Sequence, residues 1–386
     1  MSHVAFSDLW QTNARLALDS IAMRPTQGIP TWMINVMEWS HLETFSGHPP
    51  GSYQNEPVKV YLDFMRATGI SYIDQWIPEN PLTMAADGYQ SGTARSATTG
   101  AKHVRVDGKI IDSPESVVDH METVLFPRWS HWRTTLDAHA DVEIKQRIQA
   151  EVEIQKQFGT DMVKGPYSGF FTFPSFLYGL YGYENYFMAY ALYPEVIERG
   201  FSQYADVATV YNRIGARAIC EGGLPRLVRF DHDMADSRGT LVDIKSLDRL
   251  WFPHFCRAIQ PFLDADIRLI WHCDGNLMEM VPRLIDAGIG GFQGFQYEDG
   301  MDYRRICQMK TRDGDGLFII AGVSVTTTLP HGTPAAVRRE MRWLVDNGPP
   351  AGLMLGCSSS VTPGVPLKNM QALFDGFAYF RTHGRG

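Results

Sequence analysis

Ile267-Arg268-Leu269-Ile270-Trp271-His272-Cys273-Asp274-Gly275 is a short apolar, β-rich run that closes on His, Cys and Asp side by side before a glycine. Such a run reads as a buried strand that delivers polar chemistry at its C-terminal end. Working outward, the second half of the chain repeats the pattern. Strands are expected at 226–231, 267–272, 290–296, 317–323 and 352–357, alternating with helical spacing at 246–264, 277–287, 301–309 and 334–347. Strand-then-helix repetition implies parallel strands with crossover helices. Eight such units would close a (β/α)8 TIM barrel.

The first half is less regular. Leu9, Leu16, Leu18 and Ile21 suggest an opening helix over 7–23, broken at Arg24-Pro25. A first strand is expected over Ile29–Met37, a helix over 58–68 and a second strand over Ile70–Trp76. An excursion near 86–160 contains Asp107-Gly108, a hairpin turn signal, and a charged helical stretch over 131–158. A third strand over 163–173 leads into an aromatic-rich stretch ending near Tyr193, and Pro194 opens a helix to about Ile214.

Composition limits the function classes. The 386 residues, 44% hydrophobic and 20% charged, can bury a large core, and the whole of 1–386 is expected to form one α/β barrel domain. A net charge of −8 without a basic cluster argues against nucleic acid as a partner. Five scattered cysteines, Cys220, Cys256, Cys273, Cys307 and Cys357, form neither a Cys-x-x-Cys pair nor an even framework, so reduced thiols are expected. With no leader-like N-terminus and no 18-residue apolar span, the expected setting is cytoplasmic, away from membranes.

In a barrel of parallel strands the active site is built at the C-terminal strand ends. Those ends hold Asn35, Glu38, Asp74, Asp231, Asp233, His272, Asp274, Gln296, Glu298 and Cys357. One polar residue ending a strand is ordinary. A histidine, a cysteine and several carboxylates on successive ends exceed what chance termination provides.

Several segments resemble the uroporphyrinogen decarboxylase superfamily, which holds the decarboxylase and cobalamin-linked methyltransferases. They are Trp271–Asn276 (WHCDGN), Asp286–Phe292 (DAGIGGF), Ile320–Val323 (IAGV) and Leu355–Met370 (LGCSSSVTPGVPLKNM), with weaker likeness at Arg24–Met33 and Phe230–Ala235. The resemblance implies the TIM-barrel fold. It departs from the decarboxylase at two places. The loop Ile34–Trp39 offers none of the arginines a polycarboxylate requires, and Cys357 stands where the decarboxylase has histidine.

The methyltransferase branch binds zinc through a His-x-Cys pair and a last-strand cysteine. Here His272 and Cys357 match, whereas Asp274 takes the middle position and Cys273 falls on the intervening residue. In an extended segment 272 and 274 share a face, so the resemblance implies a metal set of His272, Asp274 and Cys357 for zinc or another divalent ion. A metal-free site, with His272 as general acid/base oriented by Asp274, is the other reading. Asp231, Asp233 and Glu298 are candidate catalytic groups beside His272. Met33, Asn35, Met37, Glu38, Trp39, Phe170 and Phe171 are candidate substrate-binding residues, the aromatic and methionine members being equally readable as core.

By resemblance the expected activity is methyl transfer or demethylation of a small methylated substrate, such as a methoxylated aromatic. The corrinoid-binding Asp-x-His-x-x-Gly signature is missing, since Asp137-Ala138-His139 has no glycine after it in register. A corrinoid would therefore be carried by a partner protein. A decarboxylase or other lyase acting on a non-porphyrin substrate is the alternative, and a non-catalytic tetrapyrrole- or corrinoid-binding barrel is the second.

Overall fold

A computed structural model describes residues 9–33, 35–79 and 104–386. Eleven strands are present among them: β1 (Tyr72–Ile73), β2 (Val104–Val106), β3 (Lys109–Ile111), β4 (Val163–Lys164), β5 (Leu227–Asp231), β6 (Ala235–Asp236), β7 (Gly239–Thr240), β8 (Arg268–His272), β9 (Gly291–Gly294), β10 (Phe318–Val323) and β11 (Leu353–Cys357). The five longest strands of the second half form one parallel sheet in the order β5-β8-β9-β10-β11. The first half supplies a parallel pair, β1 with β4.

The two parts are joined by the extended segment around Thr31–Val36. Its Thr31 bridges Leu355 of β11 while Trp32 bridges Tyr72 of β1, both in parallel. Backbone pairing therefore runs from β4 through β1, the 31–36 segment, β11, β10, β9 and β8 to β5. Between the β1–β4 pair and β5, side chains make the connection. Arg229 of β5 reaches Asp74 just after β1, and Tyr167 just after β4 reaches Asp231.

Two apolar layers follow from strand alternation. Trp32, Tyr72, Leu227, Ile270, Phe318, Ile320 and Met354 face inward, and the helix Thr12–Ile21 places Ala14, Ala17 and Ile21 against them. The alternate residues Val228, Phe230, Leu269, Trp271, Ile319, Ala321, Leu355 and Cys357 belong to the larger layer under the outer helices. Those helices include Pro194–Gly222, Phe252–Asp264, Val281–Ala287, Pro334–Asn347 and Leu367–His383. All five strands expected in the second half are present.

The first half departs from expectation in instructive ways. The strand expected over 29–37 is held by isolated bridges only, because Pro30 has no N–H to give and the segment's partners switch from Leu355 to Tyr72 to Val361. The strand expected over 163–173 stops at Lys164, because Gly165-Pro166 follows. Gly165 is needed there, since a Cβ would lie 1.8 Å from the Tyr72 hydroxyl. The charged stretch is two helices, Phe126–Ala138 and Ala140–Phe158. Asp107-Gly108, both at positive φ, turn the β2–β3 hairpin as the dipeptide predicts. The part of the expected excursion over 86–103, and Ile34, lie outside the described residues.

Candidate functional site

β5 and β8 are neighbours in register, so that Asp231 pairs with His272 at their C-terminal ends. Two residues earlier on the same inward face of β5, Arg229 is 1% exposed. A charge at that depth requires partners. Its Nε donates to Asp74 Oδ2 at 2.7 Å and its Nη1 to Asp231 Oδ2 at 2.9 Å. Its guanidinium lies 5.2 Å from the Trp32 ring centroid and 4.8 Å from that of Tyr167. Those two rings also complete the hydrogen bonding: Trp32 Nε1 donates to Asp74 Oδ1 at 3.1 Å, and the Tyr167 hydroxyl donates to Asp231 Oδ2 at 3.1 Å.

Above this base the polar ends of β5 and β8 converge. His272, 4% exposed, has its Nδ1 3.3 Å from the Gln293 carbonyl, which suits an Nδ1–H tautomer and turns Nε2 toward Asp274 Oδ1, 3.9 Å away. The Asp274 N–H donates to Asp233 Oδ1 at 3.3 Å, and Ser359 Oγ donates to Asp274 Oδ2 at 3.2 Å. Gly294, at φ +92°, lets the chain pass His272, because a Cβ would meet the Ser358 carbonyl at 2.7 Å and His272 Nδ1 at 3.0 Å.

Electrostatics separates the carboxylates. Burial pushes the Asp231 carboxyl up, but His272 and Arg229 outweigh it and hold the pKa below the usual range. Burial and then the Asp274 charge push Asp233 up, with His272 opposing. One acid is thus kept ionised while its neighbour two residues on tends to hold its proton. His232, whose burial lowers its pKa to about 4, is a neutral acceptor for the Phe176 N–H at 2.9 Å.

Among the expected catalytic residues, Asp231, Asp233 and His272 are brought together. Glu298 stands apart, accepting from the hydroxyls of Ser324 and Thr326 beyond the end of β10. Of the expected substrate-binding residues, Met33 and Phe170 are buried in the outer apolar layer, and Met37 is buried as well. Phe171 packs 5.0 Å from Phe230 and 5.5 Å from Tyr167, beside Asp231. Trp39 stacks obliquely on Tyr53, and Glu38 accepts the Gly364 N–H, fixing the loop after β11. Asn35 accepts the Val361 N–H through its carbonyl and is 2% exposed.

The expected metal set does not assemble. His272 and Asp274 adjoin, but Cys357 lies on the other face of its strand. Met354 and Gly356 point inward, Gly356 against Trp32, whereas Leu353, Leu355 and Cys357 join the layer under the helices. Burial there pushes the Cys357 thiol up to about 12, and the charge it feels is that of Glu340 on the outer helix Pro334–Asn347. Among the described residues no three His, Cys, Asp or Glu side chains are grouped to hold an ion. Parity along β8 was read correctly, but the parity of β11 relative to β8 depends on sheet register, which the motif does not encode. Cys273 is a buried thiol that accepts the Met234 N–H.

Arg229 and Tyr167 were missed, as were Gln293 and Ser359. Arg229 left a signal: a charge within Leu227–Asp231 (LVRFD), in phase with the strand-end aspartate, has to be paired in the interior.

No described protein family matches the sequence, and no curated protein does. Among solved structures, a methyltransferase from Methanosarcina mazei superposes with a TM-score of 0.57 at 14% identity, covering 96% of this chain and 99% of its own. A B12-independent methionine synthase from Shewanella sp. W3-18-1 in complex with selenomethionine has a TM-score of 0.39 at 13% identity, covering 61% of this chain and 66% of its own. A putative vitamin-B12 independent methionine synthase from Listeria monocytogenes has a TM-score of 0.45 at 15% identity, with 92% and 96% covered. The fold assignment rests on the first of these. Superposed end to end on a methyltransferase, the chain has the uroporphyrinogen-decarboxylase-like fold that its strand-end motifs resemble.

Proposed function

We propose that this chain is a single-domain, closed (β/α)8 enzyme that transfers a methyl group from a small methylated substrate to a nucleophile brought by a separate corrinoid protein. The observation that carries the reading is the pairing of unlike acids around His272, with Asp231 held ionised by Arg229 and Asp233 raised by burial and Asp274. Fold likeness to a methyltransferase supports the reaction class.

The chemistry follows from those residues. Asp74 and Tyr167 lock Arg229 and Asp231, so the negative charge below the substrate is fixed before it binds. As the bond between the methyl carbon and its heteroatom breaks, the electron pair stays on the heteroatom. A proton on that heteroatom, supplied by Asp233 where the substrate does not bring its own, makes this a neutral leaving group. His272, oriented by the Gln293 carbonyl, returns that proton between turnovers. A reduced corrinoid would supply the strong nucleophile that takes the methyl group. Because Cys357 faces away from His272, no step is assigned to a metal.

A second reading, a carboxy-lyase acting on a non-porphyrin substrate, is favoured by the same proton-bearing Asp233, which could protonate a carbanion after carbon dioxide leaves. One assay separates the two. The pure chain is given candidate substrates with and without a reduced corrinoid protein. Methylated cobalt formed only with chain and substrate together supports methyl transfer. Carbon dioxide released by the chain alone rejects it for the lyase.

A further inference from the structure

Four carboxylates, those of Asp74, Asp231, Asp233 and Asp274, gather at the ends of β1, β5 and β8, and among the described residues they face one guanidinium and one imidazole. Negative charge therefore stays uncompensated even when His272 is protonated. Charge alone does not make a site, but three atoms around this cluster are buried without a partner. They are Oδ1 of Asp274, Oε1 of Gln293 and Nδ2 of Asn35. Gln293 and Asn35 are 3% and 2% exposed. A buried polar atom left unpaired costs free energy, which a ligand that pairs it recovers.

These three atoms are linked through one stretch of chain. Gln293 Nε2 donates to the carbonyls of Cys357 and Ser358, Ser359 holds Asp274, and the Val361 N–H donates to the Asn35 carbonyl. Gln293 is the register partner of His272 and in line with inward-facing Ile320. The orphans on Asp274, beside His272, and on Gln293, its register partner, are acceptors, and the one on Asn35 is a donor. Aromatic rings flank the acids, with Tyr167 and Phe171 at Asp231 and Tyr178 hydrogen-bonded to the Asp233 carbonyl.

We propose that the methyl donor is a protonated secondary or tertiary N-methylamine, whose N–H⁺ is taken by Asp274 and Gln293 and whose carbon substituents lie against the aromatic rings. This rests on the methyl-transfer reading and names the substrate class for it. The charge suits the acids, the N–H suits the orphan acceptors, and a cation beside aromatic faces is further stabilised. The step balances without another reactant beyond the corrinoid nucleophile. The C–N bond breaks with its pair going to nitrogen, the methyl group joins the nucleophile, and a neutral amine leaves bearing the proton it entered with. The carboxylates hold that proton on nitrogen, which is what makes nitrogen a leaving group. Asn35 Nδ2 remains for an oxygen acceptor at the other end of the substrate.

The test is calorimetric titration of the full chain with three ligands of one shape: protonated N-methylpyrrolidine, quaternary N,N-dimethylpyrrolidinium and neutral methoxycyclopentane. The protonated amine is expected to bind at least about tenfold more tightly than either of the others, because one lacks the N–H and the other the charge. Asp274→Asn, at a half-exposed position that tolerates an isosteric change, should weaken the amine by about tenfold and leave the ether unchanged. Equal or tighter binding of the ether, or an amine affinity indifferent to Asp274→Asn, overturns the proposal. Turnover is read separately. An amine that binds as described but never methylates the corrinoid defeats methyl transfer while the binding assignment stands. Demethylation of an ether with no amine binding defeats the amine alone.

Discussion

Replacing Arg229 by methionine is the sharpest test of the charged base beneath the site. The side chain is 1% exposed, and its loss leaves Asp74 Oδ2 and Asp231 Oδ2 without the donors now at 2.7 and 2.9 Å. Removing one partner of a buried ionic group costs about 3–5 kcal/mol, because the remaining charge is stranded. Two carboxylates share the loss here, and Asp231 keeps the Tyr167 hydroxyl at 3.1 Å, so about 4 kcal/mol is expected at pH 7. The pH dependence gives the mechanism away. In the native protein the lowered Asp231 pKa contributes stability that is present above the unfolded carboxylate pKa and lost as pH falls through the folded one. Without Arg229 the Asp231 carboxyl titrates higher, so the deficit of Arg229→Met should shrink steadily as pH drops from 7 toward 4. Urea unfolding across that range measures it. Pairing Arg229→Met with Asp74→Asn should recover part of the loss, since one stranded charge is removed. A deficit under about 1 kcal/mol, or one that does not change with pH, would show that Arg229 is not the counter-charge described.

Asp233→Asn should lower turnover by about 10²–10⁴-fold, and in the native enzyme the rate should fall as pH rises through the raised Asp233 pKa, because its proton is then lost; an unaltered pH–rate profile in the variant would exclude it as the acid. Gly294→Ala forces a side chain onto φ +92° and into His272, so it should cost about 1–3 kcal/mol and depress kcat more than KM; full activity would show that the close approach has no bearing on His272. Cys357→Ala should leave the content of any copurifying divalent metal unchanged by elemental analysis, because the thiol lies under the helix Pro334–Asn347; loss of stoichiometric metal would place it in the ligand set after all.

Local pattern told a good deal about this protein. The short strand-like runs ending at Asp231, His272, Gln296, Val323 and Cys357, with helical spacing between them, implied a parallel sheet with its polar ends on one rim, because that succession is written in consecutive residues. It also placed His272 and Asp274 on one face and Cys273 on the other. What it could not supply is how one strand's parity meets another's. Cys357 and His272 both end strands, yet the register running from β8 through β9 and β10 to β11 turns the thiol out toward the helices. The partnership of Arg229 with Asp74 spans 155 positions, and that of Tyr167 with Asp231 spans 64; both join the β1–β4 pair to β5, elements that only the folded chain brings together. Which acid stays charged and which keeps its proton is likewise a product of depth and neighbours, quantities that exist only in the folded chain.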